Sequence, residues 1–317
     1  MKVSIIIPCI SINEQTIMCI RRCLELEHDD FEVIVLPDAT IKKSKDERLR
    51  IIPTGKIKPS LKRNMGIKEA SGELLAFIDD DAYPSRNWLK NAANYFVHEK
   101  IGIVGGPNLL PHQADFVERV SDRVLKNFFV LGPASIRYRP AKNRFVAELP
   151  SCNYISRNLG IVYDETLITA EDSKYCFDVA LAGYKVLYAR DVVVWHHRRS
   201  SFFKHIKQLY IYGRDIALLS KREPSYGKVY YALPSIGFLV FFTGVLVSFF
   251  SDLARYWFLV VLSIYALIIL LSSLDRDFSL IIPSWLLGMG SHFAYGVGWL
   301  VGVFGTRENA RVRWNSR

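Results

Sequence analysis

Residues 73–82 read ELLAFIDDDA: an apolar run with the composition of a buried strand, Leu74 to Ile78, ends in three consecutive carboxylates, Asp79, Asp80 and Asp81. Like charges so close repel, and a carboxylate is costly to desolvate, so such a cluster lies in water or faces a cation. Along an extended chain residues i and i+2 point to one side, which brings Asp79 and Asp81 together and turns Asp80 away. A hard divalent cation, Mg²⁺ or Mn²⁺, bridging one or two of them to substrate phosphates accounts for the triplet. An exposed acidic loop capping a helix that begins near Ser85 accounts for it as well.

Similar apolar runs precede this one: VSIIIPC (3–9), FEVIVLP (31–37) and LRIIPT (49–54). Helix-like segments lie between them, over 14–26 and in SLKRNMGIKEASG (60–72). Strands separated by helices imply an α/β fold whose mostly parallel central sheet is covered on both faces. In such sheets ligands bind beyond the carboxyl ends of the strands, and there Pro8, Asp38 and the acidic triplet gather. A later half follows with IGIVGGP (101–107), a helical stretch over 115–129, FVAELPSCNYISR (145–157), a segment opening EDSKYCFDV (171–179) and VVVWHH (192–197). Glu171 and Asp172 stand where a helix begins. Acids are favoured there by the helix dipole alone, and the same pair suits a general base. His196 and His197 close a strand, where a histidine packs structurally, joins a metal or meets a phosphate.

The 317 residues carry a formal charge of +10, with 50% hydrophobic and 23% charged residues, which excludes a disordered chain. Charge is unevenly spread: Val229 to Gly305 holds only Asp252, Arg255, Asp275, Arg276 and Asp277. Tyr230–Phe250, Tyr256–Leu274 and Phe278–Gly305 contain no Asp, Glu, Lys or Arg. Each approaches or exceeds the roughly 20 residues that cross a bilayer. Two or three spans are expected, the third, with its glycines and Pro283, being the irregular or re-entrant one. Those glycines read as close helix packing rather than a nucleotide site. SFFKHIKQLYIYGRDIALL (201–219) has the spacing of an amphipathic helix in the headgroup plane, or of an ordinary core-packing helix. Basic residues cluster in 196–228 and in the tail RENARVRWNSR, beside the apolar region, so membrane lipids rather than nucleic acid are the expected partner. Lys2 to Ile10 is too short for a signal peptide, and the odd count of five cysteines, without a C-x-x-C pair, fits reduced thiols. The expected localisation is a cell membrane, multi-pass, with the catalytic part cytoplasmic. The expected domains are 1–200, an interfacial helix and linker over 201–228, membrane helices over 229–305 and a basic tail over 306–317.

Taken in order, Pro8, Asp38, the block RN-x-G-x-x-x-A-x-G-E-x-x-x-F-x-D-x-D (63–81), EDSKYCFDV and WHHRRSSF resemble family 2 glycosyltransferases of the GT-A fold over roughly residues 1–220. The resemblance implies that Asp38 accepts from the donor's base, most often uracil, with the Pro8 backbone alongside, and that Arg63 lies near the ribose or diphosphate. It implies that Asp79 and Asp81, with Asp80 as a possible participant, form the nucleotide-sugar and metal motif, and that His196 or His197, preferably His196, adds a metal or diphosphate ligand. Cys152, Asn153 and Arg157 then fall in the donor-sugar and acceptor pocket, and Asp172 with Glu171 corresponds to the catalytic-base pair. The implied activity is transfer of a sugar, with inversion, from a nucleotide donor (a UDP-sugar first) to a hydroxyl of a lipid-linked saccharide or other membrane-proximal glycan, with Mg²⁺ or Mn²⁺. The rival acceptor is a polyprenyl phosphate. A non-catalytic membrane scaffold with a retained fold is the reading from another class, and the intact Asp79, Asp81 and Asp172 count against it. The chain departs from the family in reading VLPDAT where members commonly read VVDDGS, and QLYIY (208–212) where processive members carry Q-x-x-R-W.

Overall fold

A computed structural model describes residues 1–39, 46–167 and 169–305; the basic tail expected over 306–317 lies outside the described residues. In chain order the elements are β1 (Val3–Pro8), α1 (Glu14–Leu24), β2 (Phe31–Leu36), β3 (Leu49–Ile51), α2 (Pro59–Glu69), β4 (Leu74–Phe77), β5 (Ala82–Pro84) and α3 (Trp88–Tyr95). Then come β6 (Ile101–Gly105), β7 (Asn108–Leu109), α4 (Phe116–Lys126), α5 (Phe128–Leu131), β8 (Arg144–Val146), β9 (Tyr154–Arg157), α6 (Glu171–Leu181), β10 (Lys185–Tyr188) and β11 (Val194–His196). Four long helices follow: α7 (Phe202–Arg222), α8 (Leu233–Ser248), α9 (Asp252–Ser272) and α10 (Ile281–Phe304). They fall into two compact units, Met1–His112 with Ile136–His197, and Gln113–Ser135 with the chain from Arg198 onward.

The first unit is built on an eight-stranded sheet of order β3-β2-β1-β4-β9-β6-β10-β8. Six of its strands run one way, and β9 and β8 run against them. Both faces are covered, which is why the strands read as unbroken apolar runs. Val3, Ile5 and Ile7 pack with Cys19 and Cys23 of α1 and Trp88 of α3, while Ile6, Ile34 and Phe77 pack with Ile67 of α2 and Tyr175 of α6 on the other face. Pro59 opens α2 at a position whose N–H needs no intrahelical partner. α2 then lies so close to β1 that a Cβ on Gly66 would fall 2.6 Å from Ile6 Cγ2. That approach holds Lys62 and Arg63, one turn earlier, against the strand ends.

Register decides what reaches those ends. Pro8 of β1 pairs with Leu36 of β2, and Ile6 with Phe77 of β4, so the segments leaving β1, β2 and β4 emerge along one edge. β9 runs antiparallel to β4 with Tyr154 opposite Phe77 and Arg157 opposite Leu74, which carries Arg157 to the opposite edge. A second sheet, β5-β11-β7, sets His196 opposite Ala82 and hence beside Asp81.

The second unit takes in a stretch from inside residues 1–200. The stretch with α4 and α5 belongs to it: Val120 and Val124 are buried with Leu280 and Leu287, Arg123 pairs with Asp275 at 2.7 Å, and Arg119 pairs with Asp277. Arg198 donates to Asp122 at 2.8 Å and 3.0 Å and is itself buried. The helix expected to lie in the headgroup plane, α7, packs along α10. Added Cβ atoms on Gly298 and Gly302 would lie 2.0 Å and 2.3 Å from the carbonyl oxygens of Tyr210 and Arg214. His205 shares a 3.1 Å hydrogen bond with Ser291. Two helices among the described residues are long and apolar enough to cross a membrane, Asp252–Ser272 and Phe278–Phe304. The expectation that the third apolar stretch is irregular is corrected: α10 is an unbroken 24-residue helix. Pro283 sits in its first turn, where a missing N–H is tolerated, and its glycines serve packing. The short element is α8, whose 16 residues extend about 24 Å.

Candidate active site

Each residue of the acidic triplet has its own direction. One ligand atom each from Asp79, Asp81 and His196 lie within 4.8 Å of one another. His196 Nε2 meets Asp81 Oδ1 at 3.1 Å. Asp80 points instead toward α1, accepting from Thr16 Oγ1 at 3.4 Å. Burial disfavours a charged His196, but Asp81 and then Cys152 outweigh it and hold the imidazole up to about 10. Two carboxylates and an imidazole are a fitting donor set for Mg²⁺ or Mn²⁺, which they would hold with the imidazole unprotonated.

Arg63 connects this group to a second one. Its guanidinium, 5% exposed, donates to Asp79 Oδ1 at 2.9 Å and to Glu171 Oε1 at 3.0 Å, over the ring of Tyr163. Ala170, just before α6, adopts a left-handed conformation with φ 61°, which an alanine accepts only at a cost of about 1–2 kcal/mol. This turn aims Glu171 and Asp172 at the helix start. Asp172 accepts from the backbone N–H of Ser173 at 2.8 Å and of Ser151 at 3.4 Å. Burial and the neighbouring Asp172 push Glu171 up to about 7 against the pull of Arg63. Burial likewise raises Asp172, opposed by Arg137, whose own partner is Glu148. The site thus holds a carboxylate pair that keeps its protons to unusually high pH, next to a candidate metal centre.

At the ends of β1 and β2, Pro8 closes its strand and Asp38 faces Lys62 rather than open solvent. Sequence reading passed over Lys62 and Arg137: within SLKRN a lysine reads as a solvated helix face, and Arg137 stands in a short 3₁₀ helix, Gly132–Tyr138, whose sequence carries no motif. Two residues expected at the donor pocket spend their polar atoms within the protein. Asn153 is fully buried and its amide is consumed by Trp88 Nε1 at 2.9 Å and by the carbonyls of Pro107 and Val192 at 3.1 Å and 3.0 Å. Arg157, at the far edge, donates to the carbonyls of Ile101 at 2.8 Å and Phe96 at 2.6 Å. Both tie loops to the sheet.

A parallel-dominated sheet with an antiparallel insertion, and acids gathered at its carboxyl edge, define the GT-A class of nucleotide-sugar-dependent folds. The sequence model described as "Glycosyl transferase family 2" matches residues 4–145. That match identifies residues 4–145 as a family 2 glycosyltransferase region of GT-A fold, and apolar helices follow it in the chain. It is 26% identical over 174 residues to the pre-mycofactocin glycosyltransferase of Mycobacterium tuberculosis, a match covering 52% of this chain and 36% of that protein's length. It is 22% identical over 265 residues to a Methanococcus voltae dolichyl N-acetyl-α-D-glucosaminyl phosphate 3-β-D-2,3-diacetamido-2,3-dideoxy-β-D-glucuronosyltransferase, covering 78% of this chain and 81% of that protein. Among solved structures, a mannosyltransferase from Pyrobaculum calidifontis in complex with GDP-Man and Mn²⁺ superposes with a TM-score of 0.65 at 15% identity, over 96% of this chain and 87% of that one. At that identity the likeness is one of fold.

Proposed function

We propose that this protein is a membrane-bound inverting glycosyltransferase that moves a sugar from a nucleotide donor to a hydroxyl of a lipid-linked saccharide. The observation carrying the reading is the pairing, through Arg63, of the Asp79–Asp81–His196 cluster with Glu171 and Asp172 at one edge of the sheet. The relative from Methanococcus voltae, by its name, acts on a dolichyl-linked sugar phosphate, and α9 and α10 are long and apolar enough for a chain that meets such an acceptor at a bilayer. The multi-pass membrane location with a cytoplasmic catalytic unit is part of the same proposal, as is a UDP-sugar donor.

In this mechanism Asp172 removes the proton from the acceptor hydroxyl as its oxygen attacks the anomeric carbon. The bond from that carbon to the diphosphate breaks on the opposite face, and the configuration inverts. Burial and the charge of Asp172 keep a proton on the neighbouring Glu171 up to about 7, so the two carboxyls titrate as a pair. Arg63 holds Glu171 and Asp79 in place and lends positive charge to the side where the diphosphate departs. Asp79, Asp81 and His196 would hold Mg²⁺ or Mn²⁺, which as a Lewis acid neutralises charge on the leaving nucleoside diphosphate.

The test is Asp172→Asn in the detergent-solubilised full chain. With a hydroxyl acceptor, turnover falls by roughly 10²–10⁴ while donor binding, read as thermal stabilisation by UDP-, GDP- and dTDP-sugars with Mn²⁺, persists. Retention of most turnover would point instead to a polyprenyl phosphate, an acceptor already ionised. If none of the three donors stabilises the wild-type chain, the enzyme reading is wrong.

A further inference from the structure

We propose that Lys62 is a specificity-determining residue: by pinning Asp38 in one orientation, it makes the donor site select nucleobases that present a ring imino N–H, as uracil, thymine and guanine do, over cytosine and adenine. The inference rests on the reading above that the first unit binds a nucleotide sugar.

The ammonium of Lys62 is 3% exposed and has three protons to place. Three acceptors meet it: the carbonyl of Cys9 after β1, the carbonyl of Leu36 closing β2 at 3.2 Å, and Oδ1 of Asp38. A buried ammonium left short of partners is costly, so this full set fixes the lysine tightly. Its donors are spent, and it has none left for a phosphate or a sugar. Its effect on a ligand therefore passes through Asp38.

Asp38 is held on its other side by its own backbone, which donates to the Ile10 carbonyl at 3.0 Å and accepts from the Gly55 N–H at 3.0 Å. The carboxylate remains 22% exposed, and among the described residues its Oδ2 has no hydrogen-bond donor. An ionised carboxylate oxygen only accepts. A base placed against it gains by offering N–H at that point and loses by offering a lone pair. Uracil, thymine and guanine carry a ring N–H on their pairing edge; cytosine and adenine carry a ring lone pair there and put their N–H on an exocyclic amine instead. A mobile carboxylate would swing to follow that amine. One tethered by Lys62 to the carbonyls of two strands does not, so selectivity comes from the tether as much as from the acid.

The experiment measures dissociation constants of UDP, GDP, CDP and ADP, with Mn²⁺, for the full chain in detergent by calorimetry. The wild type is expected to prefer the better imino-bearing nucleotide over CDP and ADP by about tenfold or more, the scale of one hydrogen bond to a charged group. Lys62→Met is expected to narrow that ratio to within about threefold, while its affinity for pyrophosphate with Mn²⁺, which reads the untouched acidic cluster, stays within about twofold. If Lys62→Met does not fold, Asp38→Asn carries the test and is expected to narrow the same ratio. A wild type that does not discriminate overturns the inference, as does either variant that keeps the full ratio. Absence of binding by all four nucleotides would instead refute the nucleotide-sugar reading itself.

Discussion

Arg63 touches two carboxylates, Asp79 and Glu171, and its burial makes both contacts hard to give up. With Glu171 near 7 through burial and Asp172, the pair loses its last proton close to neutrality. Replacing Glu171 by Gln removes that last ionisation from the pair, so the acidic limb of the kcat profile moves to lower pH. Steady-state rates from pH 5 to 8 measure this, and an unmoved limb would show that Glu171 does not tune the base. At this scale the carboxylates were legible, because three adjacent acids after an apolar run demand an explanation. Lys62 was not, since its role exists only once α2 is laid on the ends of β1 and β2. Arg157 stands at the other edge from Tyr154 for a geometric reason: three steps along an antiparallel strand carry a side chain about 10 Å from where the strand begins.

Elements were readable where burial is two-sided. β1, β2 and β4 bury every residue, and the apolar runs that predicted them needed no partner to be recognised. The apolar helices after Arg198 were harder, because Gly and Pro signal both irregular backbone and close packing, and only the neighbour decides between them. Gly298 faces the backbone of Tyr210, whereas Gly237 in α8 has nothing within 4 Å of an added Cβ. Gly298→Leu should therefore force α7 and α10 apart, with a stability loss of about 1–3 kcal/mol or more. Gly237→Ala should be neutral or gain up to about 1 kcal/mol from helix propensity. Thermal unfolding of both variants in the same detergent checks this, and equal effects would mean that α7 does not pack on the α10 glycines.

For the molecule as a whole, charge thins out after residue 228, and a helix expected over 201–219 set the end of the first expected domain at 200. Compactness divides the chain elsewhere, since Gln113–Ser135 leaves the sheet unit and joins the helices from Arg198 onward. Nothing in a hydropathy profile marks this, as α4 is an ordinary amphipathic helix with its own capping box at Asp115 and Glu118. Its buried face, Val120 and Val124 at i, i+4 spacing, is completed by Leu280 and Leu287, and its cations meet Asp275 and Asp277. A fragment ending at residue 200 removes those partners and leaves two valines, each contributing roughly 1.5–3 kcal/mol when buried, facing water. Such a fragment should self-associate on gel filtration with light scattering, although its sheet and acidic edge are intact. Adding Val120→Glu and Val124→Glu should return it to a monomer that Mn²⁺ and a nucleotide sugar still stabilise, because neither valine belongs to the sheet unit. A monomeric unmodified fragment would mean that α4 finds enough cover within the first 200 residues and that the division of the chain follows its sequence order after all.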